Sequence, residues 1–222
     1  MSNALVIIPT YNEIENIEAI IRAVFSQEKQ FDILIVDDSS PDGTNTTVKK
    51  LQQEFSNLFL EVRKEKNGLG TAYIHGFKWA LAKEYEYIME MDADFSHNPE
   101  DLNRLYNACA VDGADYSIGS RYLNNKINVV NWDFKRLFLS YFASKYVRII
   151  TQTPIFDTTA GFVCYHRKVL ESINLDKIEF VGYAFQIEMK FNAWKRKFNH
   201  KEVSIIFTDR KRGVSKMSTS II

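Results

Sequence analysis

The sequence predicts an α/β domain in which a mostly parallel central sheet is flanked by helices. Three observations carry that expectation. Short apolar runs of strand length alternate along the chain with longer segments whose apolar residues recur at helical spacing. The runs are continuously apolar, as strands covered by helices on both faces should be. Four of them stop abruptly in polar clusters, and in open parallel sheets ligands collect beyond the carboxyl ends of the strands.

The elements follow in order. Residues 4–9 form a β-branched run closed by Pro9-Thr10-Tyr11-Asn12-Glu13. Asn12 suits a helix N-cap and Glu13 a first turn, with Ile14, Ile17, Ile21 and Val24 as the apolar side of the helix. Residues 31–36 read as a second strand, ending in Asp37-Asp38-Ser39-Ser40-Pro41-Asp42-Gly43-Thr44 before a helix carrying Val48, Leu51 and Phe55. A third strand spans 58–62, a turn Asn67-Gly68-Leu69-Gly70 follows, and 71–83 reads as helix. The fourth strand spans 85–91. Pro99 fits the first turn of a helix with Leu102, Leu105 and Tyr106 inward. Residues 115–119 form a fifth strand, leading into Ser120-Arg121-Tyr122.

The second half is less regular. After a polar loop, 134–150 reads as an apolar helix broken by Lys135, Arg136, Lys145 and Arg148, expected to pack into the core, with a membrane surface as the alternative. A loop from Phe156 enters a strand through Tyr165, 169–173 is a short helical stretch, 183–197 a helix and 202–208 an alternating strand. The described order closes on Asp209-Arg210-Lys211-Arg212-Gly213-Val214-Ser215-Lys216, a basic loop. No repeat or linker interrupts the chain. It reads as one domain, with a nucleotide-binding half at about 1–122 and an acceptor-binding half at about 123–222.

The stretch Ile88-Met89-Glu90-Met91-Asp92-Ala93-Asp94-Phe95-Ser96-His97 is the most informative. In extended backbone, residues at i and i+2 share a side, so Asp92 and Asp94 form a dense acceptor site at a strand mouth. Two such charges resist joint ionisation unless a cation lies between them, and a hard divalent ion completes its shell with water and phosphate oxygens. Asp-x-Asp alone also fits a solvated strand-to-turn junction. The convergence of the four polar strand ends, Pro9 to Glu13, Asp37 to Ser40, Asp92 to Ser96 and Ser120-Arg121, favours the ligand site.

Bulk properties exclude other classes. With 28 basic and 28 acidic residues among 222, the chain lacks the basic excess of a nucleic-acid binder. Two cysteines, Cys109 and Cys164, make neither a disulfide framework nor a metal set, and fit core packing in a reducing compartment. The first residues lack the order of a signal peptide, and no apolar run is long enough to cross a bilayer. No Gly-x-Gly-x-x-Gly follows the first strand, and no P-loop pattern is present.

Taken in order, these motifs resemble the inverting glycosyltransferases of family 2, which have the GT-A fold, and among them the dolichol-phosphate and polyprenol-phosphate mannose synthases. The matching pieces include those named above and Gly68-Leu69-Gly70-Thr71-Ala72-Tyr73-Ile74-His75-Gly76, Gly119-Ser120-Arg121-Tyr122 and Asn131-Trp132. They also include Gly182-Tyr183-Ala184-Phe185-Gln186-Ile187-Glu188-Met189 and Asp209-Arg210 through Ser215-Lys216-Met217. The sequence departs from the family at Thr158-Thr159-Ala160-Gly161-Phe162, and family members usually continue with further helical or membrane-binding sequence.

The resemblance implies transfer of mannose from GDP-mannose to a polyprenyl (dolichyl) monophosphate, at the cytoplasmic face of a membrane. It implies a divalent cofactor, Mg²⁺ or Mn²⁺, and peripheral attachment to the membrane, through this chain or an anchoring partner. By analogy Pro9, Tyr11, Glu13, Val36 and Asp38 border the nucleotide. Asp92, Ala93 and Asp94 hold metal and diphosphate, with Ser96 as a further oxygen ligand or as a cap before the Pro99 helix. Arg121, Arg136, Ser140 and Arg210 meet the acceptor phosphate. Arg121, Arg210 and Lys216 also reach the donor, and Asp94, Arg121 and Arg210 carry catalysis. His97 is read as structural. Other nucleotide sugars such as UDP-glucose, a glycan acceptor, or a non-catalytic nucleotide-sugar-binding subunit remain open, although the Gln-x-x-Arg-Trp motif of processive synthases is absent.

Overall fold

The computed structural model describes residues 2–123, 127–132, 134–182 and 184–210. The strands are β1 (Ala4–Thr10), β2 (Asp32–Asp37), β3 (Leu58–Val62), β4 (Tyr87–Glu90), β5 (Tyr116–Ser120), β6 (Val129–Val130), β7 (Val163–His166), β8 (His200–Ser204) and β9 (Phe207–Thr208). The helices are α1 (Ile17–Phe25), α2 (Thr44–Leu51), α3 (Leu69–Ala82), α4 (Asp101–Ala110), α5 (Phe134–Thr151), α6 (Arg167–Ser172) and α7 (Ala184–Lys195). Seven strands form one sheet in the order β3-β2-β1-β4-β7-β5-β8, and β6 pairs with β9 apart from it.

The pairs β1–β2, β1–β4, β2–β3 and β5–β8 are parallel. Strand β7 runs antiparallel between β4 and β5, an insertion that the pattern of apolar runs did not announce. Alternation along each strand separates two cores. Val6, Ile8, Ile33 and Ile35 pack with Ile17, Val48, Leu102 and Leu105 of α1, α2 and α4. Leu5, Ile7, Leu34 and Val36 pack on the other face with Tyr73, Phe77, Leu170 and Phe185 of α3, α6 and α7. Both faces are therefore covered, which is why the strands lack polar alternation.

Several boundaries differ from the sequence reading. Helix α1 starts at Ile17 with Asn16 as its N-cap. Asn12 instead has φ 55° and Ile14 is exposed, because residues 11–16 make a turn that carries Glu13 inward. Pro99 lies just before α4 rather than in its first turn. The last expected strand is split into β8 and β9, which join different sheets.

The largest correction concerns α5, which is not a core helix. Ser144 is its one buried residue, while Phe134, Phe138, Leu139, Phe142, Tyr146, Ile149 and Ile150 are exposed. Arg136, Ser140, Tyr141 and Arg148 meet the body: Arg136 bonds Asp209, Ser140 bonds Tyr122, Tyr141 lies edge-on to Tyr122, and Arg148 stands over Phe156. Arg136, Ser140, Ser144 and Arg148 recur every four residues and share one stripe. The helix thus turns its polar stripe inward and its apolar side outward.

Candidate active site

The loops after β1, β2, β4 and β5 meet at the carboxyl ends of the strands. Asp37 welds the first two together. It accepts from Thr10 Oγ1 (2.9 Å), Ser40 Oγ (2.6 Å) and the Ser40 amide (2.9 Å), while Ser40 Oγ accepts from the Asn12 amide (2.9 Å). Thr44 Oγ1 accepts from the Glu13 amide (3.0 Å). These bonds bring Glu13, almost wholly buried, to the crevice, where its Oε1 lies 3.7 Å from Arg210 Nη1. A plain solvated acid at a helix start does not describe that position.

Around the expected base pocket, Pro9 of β1 lies opposite Val36 of β2 in the ladder. Val36 is fully buried in the core on the α3 side of the sheet. Lys66 sits 4.5 Å over the Tyr11 ring. Asp38 is gripped by Arg63, Nε to Oδ1 at 2.6 Å and Nη2 to Oδ2 at 2.7 Å, and Arg63 Nη1 reaches Thr71 Oγ1 at 2.8 Å. An acceptor role for Asp38 toward a base or ribose is therefore shared with Arg63, which the sequence reading passed over although it stands one residue past a strand.

After β4 the chain makes a tight turn. Phe95 takes φ 61°, a strained value for a bulky side chain that tends to persist at functional sites. The turn lets the Ser96 amide (3.0 Å) and Ser96 Oγ (2.6 Å) both donate to Asp94 Oδ1, while Arg210 Nη2 donates to Asp94 Oδ2 at 2.6 Å. Burial acts to raise the Asp94 pKa, but the Ser96 bonds and the Arg210 charge outweigh it and hold the carboxyl below its ordinary value. Asp92 differs. Its side chain is 36% exposed yet set deep among protein atoms, and burial, then the charge of Asp94, pushes it up to about 7. Ala93, between them, is buried. His97, also buried, accepts at Nδ1 from the Asp92 amide (3.2 Å) and stacks on Phe162 at 4.6 Å.

The pair fits a divalent ion. Two carboxylates of unequal proton affinity at a strand mouth are a hard-oxygen donor set, and the guanidinium on Asp94 shows that the position attracts positive charge. Among the described residues no three or more His, Cys, Asp or Glu are placed to hold one ion together, so the rest of an ion's shell would come from water or phosphate.

The cations frame the other side. Arg121 follows β5 and is buried. Its Nε and Nη2 donate to Asp157 (both 2.7 Å), its amide to Asp157 Oδ2 (2.9 Å), and Nη2 also to Thr159 Oγ1 (2.8 Å). Burial alone would lower the Arg121 pKa, but the Asp157 charge raises it above the ordinary value. The rings of Tyr122, Trp132 and Phe207 surround its guanidinium at 5.1–5.6 Å. Arg136 stands 4.3 Å over Trp132 and bonds Asp209 at 3.0 Å, and Ser140 Oγ accepts from Tyr122 (2.8 Å). Glu13, Asp92, Asp94 and Arg210 are thus brought to one crevice, with Arg121, Arg136 and Ser140 linked through Tyr122 and Trp132. Lys216 lies outside the described residues.

Comparison with known proteins gives the family and the fold. The chain is 46% identical, over 98% of its length and 82% of the relative's, to a polyprenol monophosphomannose synthase of Mycolicibacterium smegmatis. It is 42% identical to an undecaprenyl-phosphate mannosyltransferase of Micrococcus luteus, over 98% of this chain and 88% of that one. Among solved structures, a mannosyltransferase from Pyrobaculum calidifontis in complex with GDP-Man and Mn²⁺ superposes with a TM-score of 0.64 at 19% identity, covering 95% of this chain and 58% of that one. A glucosyl-3-phosphoglycerate synthase from Mycobacterium tuberculosis with Mn²⁺, UDP and phosphoglyceric acid superposes with a TM-score of 0.70 at 16% identity, covering 95% and 71%. At such identities these likenesses establish the fold, which is GT-A. The pattern that defines "Glycosyl transferase family 2" matches residues 5–173, and the chain belongs to that family.

Proposed function

We propose that this protein transfers mannose from GDP-mannose to a polyprenyl monophosphate, with inversion at the anomeric carbon. The observation that carries the reading is the meeting of Asp92 and Asp94 with Arg210, flanked by a second, separately anchored arginine, Arg121. One phosphate-bearing partner needs a cation-rich acceptor side, and the other needs a carboxylate pair for its metal-bound diphosphate. The relatives named for polyprenol and undecaprenyl phosphate mannosylation align over nearly the whole chain, which supports these substrates.

Asp92 and Asp94 would hold a Mg²⁺ or Mn²⁺ ion, with the Ser96 hydroxyl next to Asp94 as a third oxygen or as the group that aims it. Held there, such an ion would supply positive charge to the diphosphate side. Tyr11, beside Pro9, offers a ring face for the base, and Glu13 and Asp38 lie where base or ribose donors would be met. Arg210 adds a guanidinium to the diphosphate side. Arg121, kept charged by Asp157, faces the acceptor with Arg136 and Ser140. An acceptor phosphate is already anionic near neutral pH, so no strong general base is needed, and the residues act by aligning the two partners and stabilising charge. The apolar outer side of α5 is proposed to rest on the cytoplasmic face of a membrane, near which a polyprenyl chain must be held; no described helix is long and apolar enough to cross it.

The test is transfer of label from GDP-mannose into an organic-soluble product in the presence of Mn²⁺ and undecaprenyl phosphate. The reading expects lipid-phase label with GDP-mannose and little with UDP-glucose. Label that never leaves the aqueous phase would refute it.

A further inference from the structure

Lys190 is a cation the chemistry above does not use. It sits on α7, directly after the Gly182 to Met189 motif, and is 1% exposed. Its three donors are all spent inside the protein: on Ala160 O at 2.5 Å, Gln186 O at 3.1 Å and Gln186 Oε1 at 3.2 Å. A buried ammonium loses its hydration, so it needs partners that repay the loss. The opposing charges that favour it are Glu90 first and Asp157 second. Glu90 is fully buried on β4, two residues before Asp92, and Lys190 is the cation acting on it.

Ala160 belongs to the 157–161 loop, and that loop is what holds Arg121. Asp157 and Thr159 receive the guanidinium, while the amides of Phe156 and Asp157 donate to the Glu202 carboxylate at 2.6 and 3.1 Å. Glu202 fixes the entry to the loop and Lys190 fixes its exit. Lys190 thus ties α7, through Gln186, to the segment that aims Arg121.

We infer that Lys190 is a positioning residue for the transfer reaction: by holding Ala160 O it sets the 157–161 loop and, through Asp157 and Thr159, the aim of Arg121 at the acceptor phosphate. This rests on the acceptor reading given above. Loss of the Lys190 bonds should weaken use of the acceptor while leaving the donor pocket, built from β1, β2 and β4, as it was.

The experiment measures KM for undecaprenyl phosphate, kcat, and Kd for GDP with Mn²⁺ in wild-type protein, in Lys190→Met, and in Gly76→Ala as a control that crowds Ile7 of β1 and leaves the Lys190 bonds to Ala160 and Gln186 in place. Lys190→Gln replaces Lys190→Met where the latter does not fold. The expected result is an acceptor KM raised roughly tenfold with the nucleotide Kd within about twofold of wild type. The control should lose thermal stability without the change in acceptor KM. If Lys190→Met keeps a wild-type KM and kcat, or if Gly76→Ala shifts acceptor KM as much at equal loss of Tm, the assignment falls while the acceptor reading stands. If wild-type protein transfers no mannose to undecaprenyl phosphate, the acceptor reading falls and takes this inference with it.

Discussion

His97 shows how closely the site is bound to stability. It is buried with its Nδ1 accepting from the Asp92 amide, and burial lowers its pKa to about 4, the nearby Asp94 charge opposing. The folded-state value lies below the ordinary 6.5, so the unfolded chain binds the proton more readily. The stabilisation is therefore complete above about pH 6.5 and is lost as pH falls toward 4. Between pH 7.5 and 5.5 wild-type protein should lose ~1 kcal/mol more than His97→Asn in urea unfolding. Equal losses would show that the imidazole is not held neutral. At this scale the sequence disclosed the groups whose chemistry is local: Asp92 and Asp94 stand one residue apart just past a strand, though in a turn rather than on one strand side, and Arg210 stands out in a basic run. It did not disclose Arg63 on Asp38, Asp157 on Arg121, or Lys190 on Ala160. Those partners lie 25, 36 and 30 residues apart, and no local pattern specifies which carboxylate or carbonyl a distant cation meets.

Among the elements, α3 approaches β1 closely at Gly76. A Cβ at Gly76 would come within 2.7 Å of Ile7 Cγ2 and 2.9 Å of Ile7 Cδ1. Gly76→Ala should therefore cost ~1–3 kcal/mol through overpacking of the α3–β1 contact, read as a lower midpoint in urea at unchanged slope. An unchanged midpoint would mean that Ile7 can move aside. The strands from 4 to 9 and 58 to 62 were legible because each is short, apolar and bounded by turn residues. The bounds of helix α5 were legible as well, but its placement was not, because its apolar residues outnumber the polar stripe that in fact faces the body. The spacing of Arg136, Ser140, Ser144 and Arg148 was the available signal, and their joint orientation depends on Tyr122, Asp209 and Phe156, which composition does not reveal. The antiparallel direction of β7 was likewise hidden, since an apolar strand reads the same both ways.

For the molecule as a whole, the crevice lies at the carboxyl edge of a sheet covered on both faces, and α5 stands beside it with an apolar exterior. If that exterior rests on lipid, wild-type protein should cosediment with vesicles of anionic lipid, and Phe138→Ser/Phe142→Ser/Ile149→Ser should reduce the bound fraction roughly tenfold at unchanged Tm, in line with the apolar area removed. Equal sedimentation of the triple variant would assign attachment elsewhere. The central claim is that Asp92 and Asp94 together bind a divalent ion that the transfer requires. Its most direct measurement is Mn²⁺ titration by paramagnetic resonance in the presence of GDP, on wild-type protein and on Asp94→Ala, with mannosyl transfer assayed on the same samples. The account predicts that wild-type protein removes the free Mn²⁺ signal and transfers mannose, whereas the folded variant does neither. A variant that binds Mn²⁺ as tightly as wild type, or that transfers mannose at the wild-type rate, would contradict it.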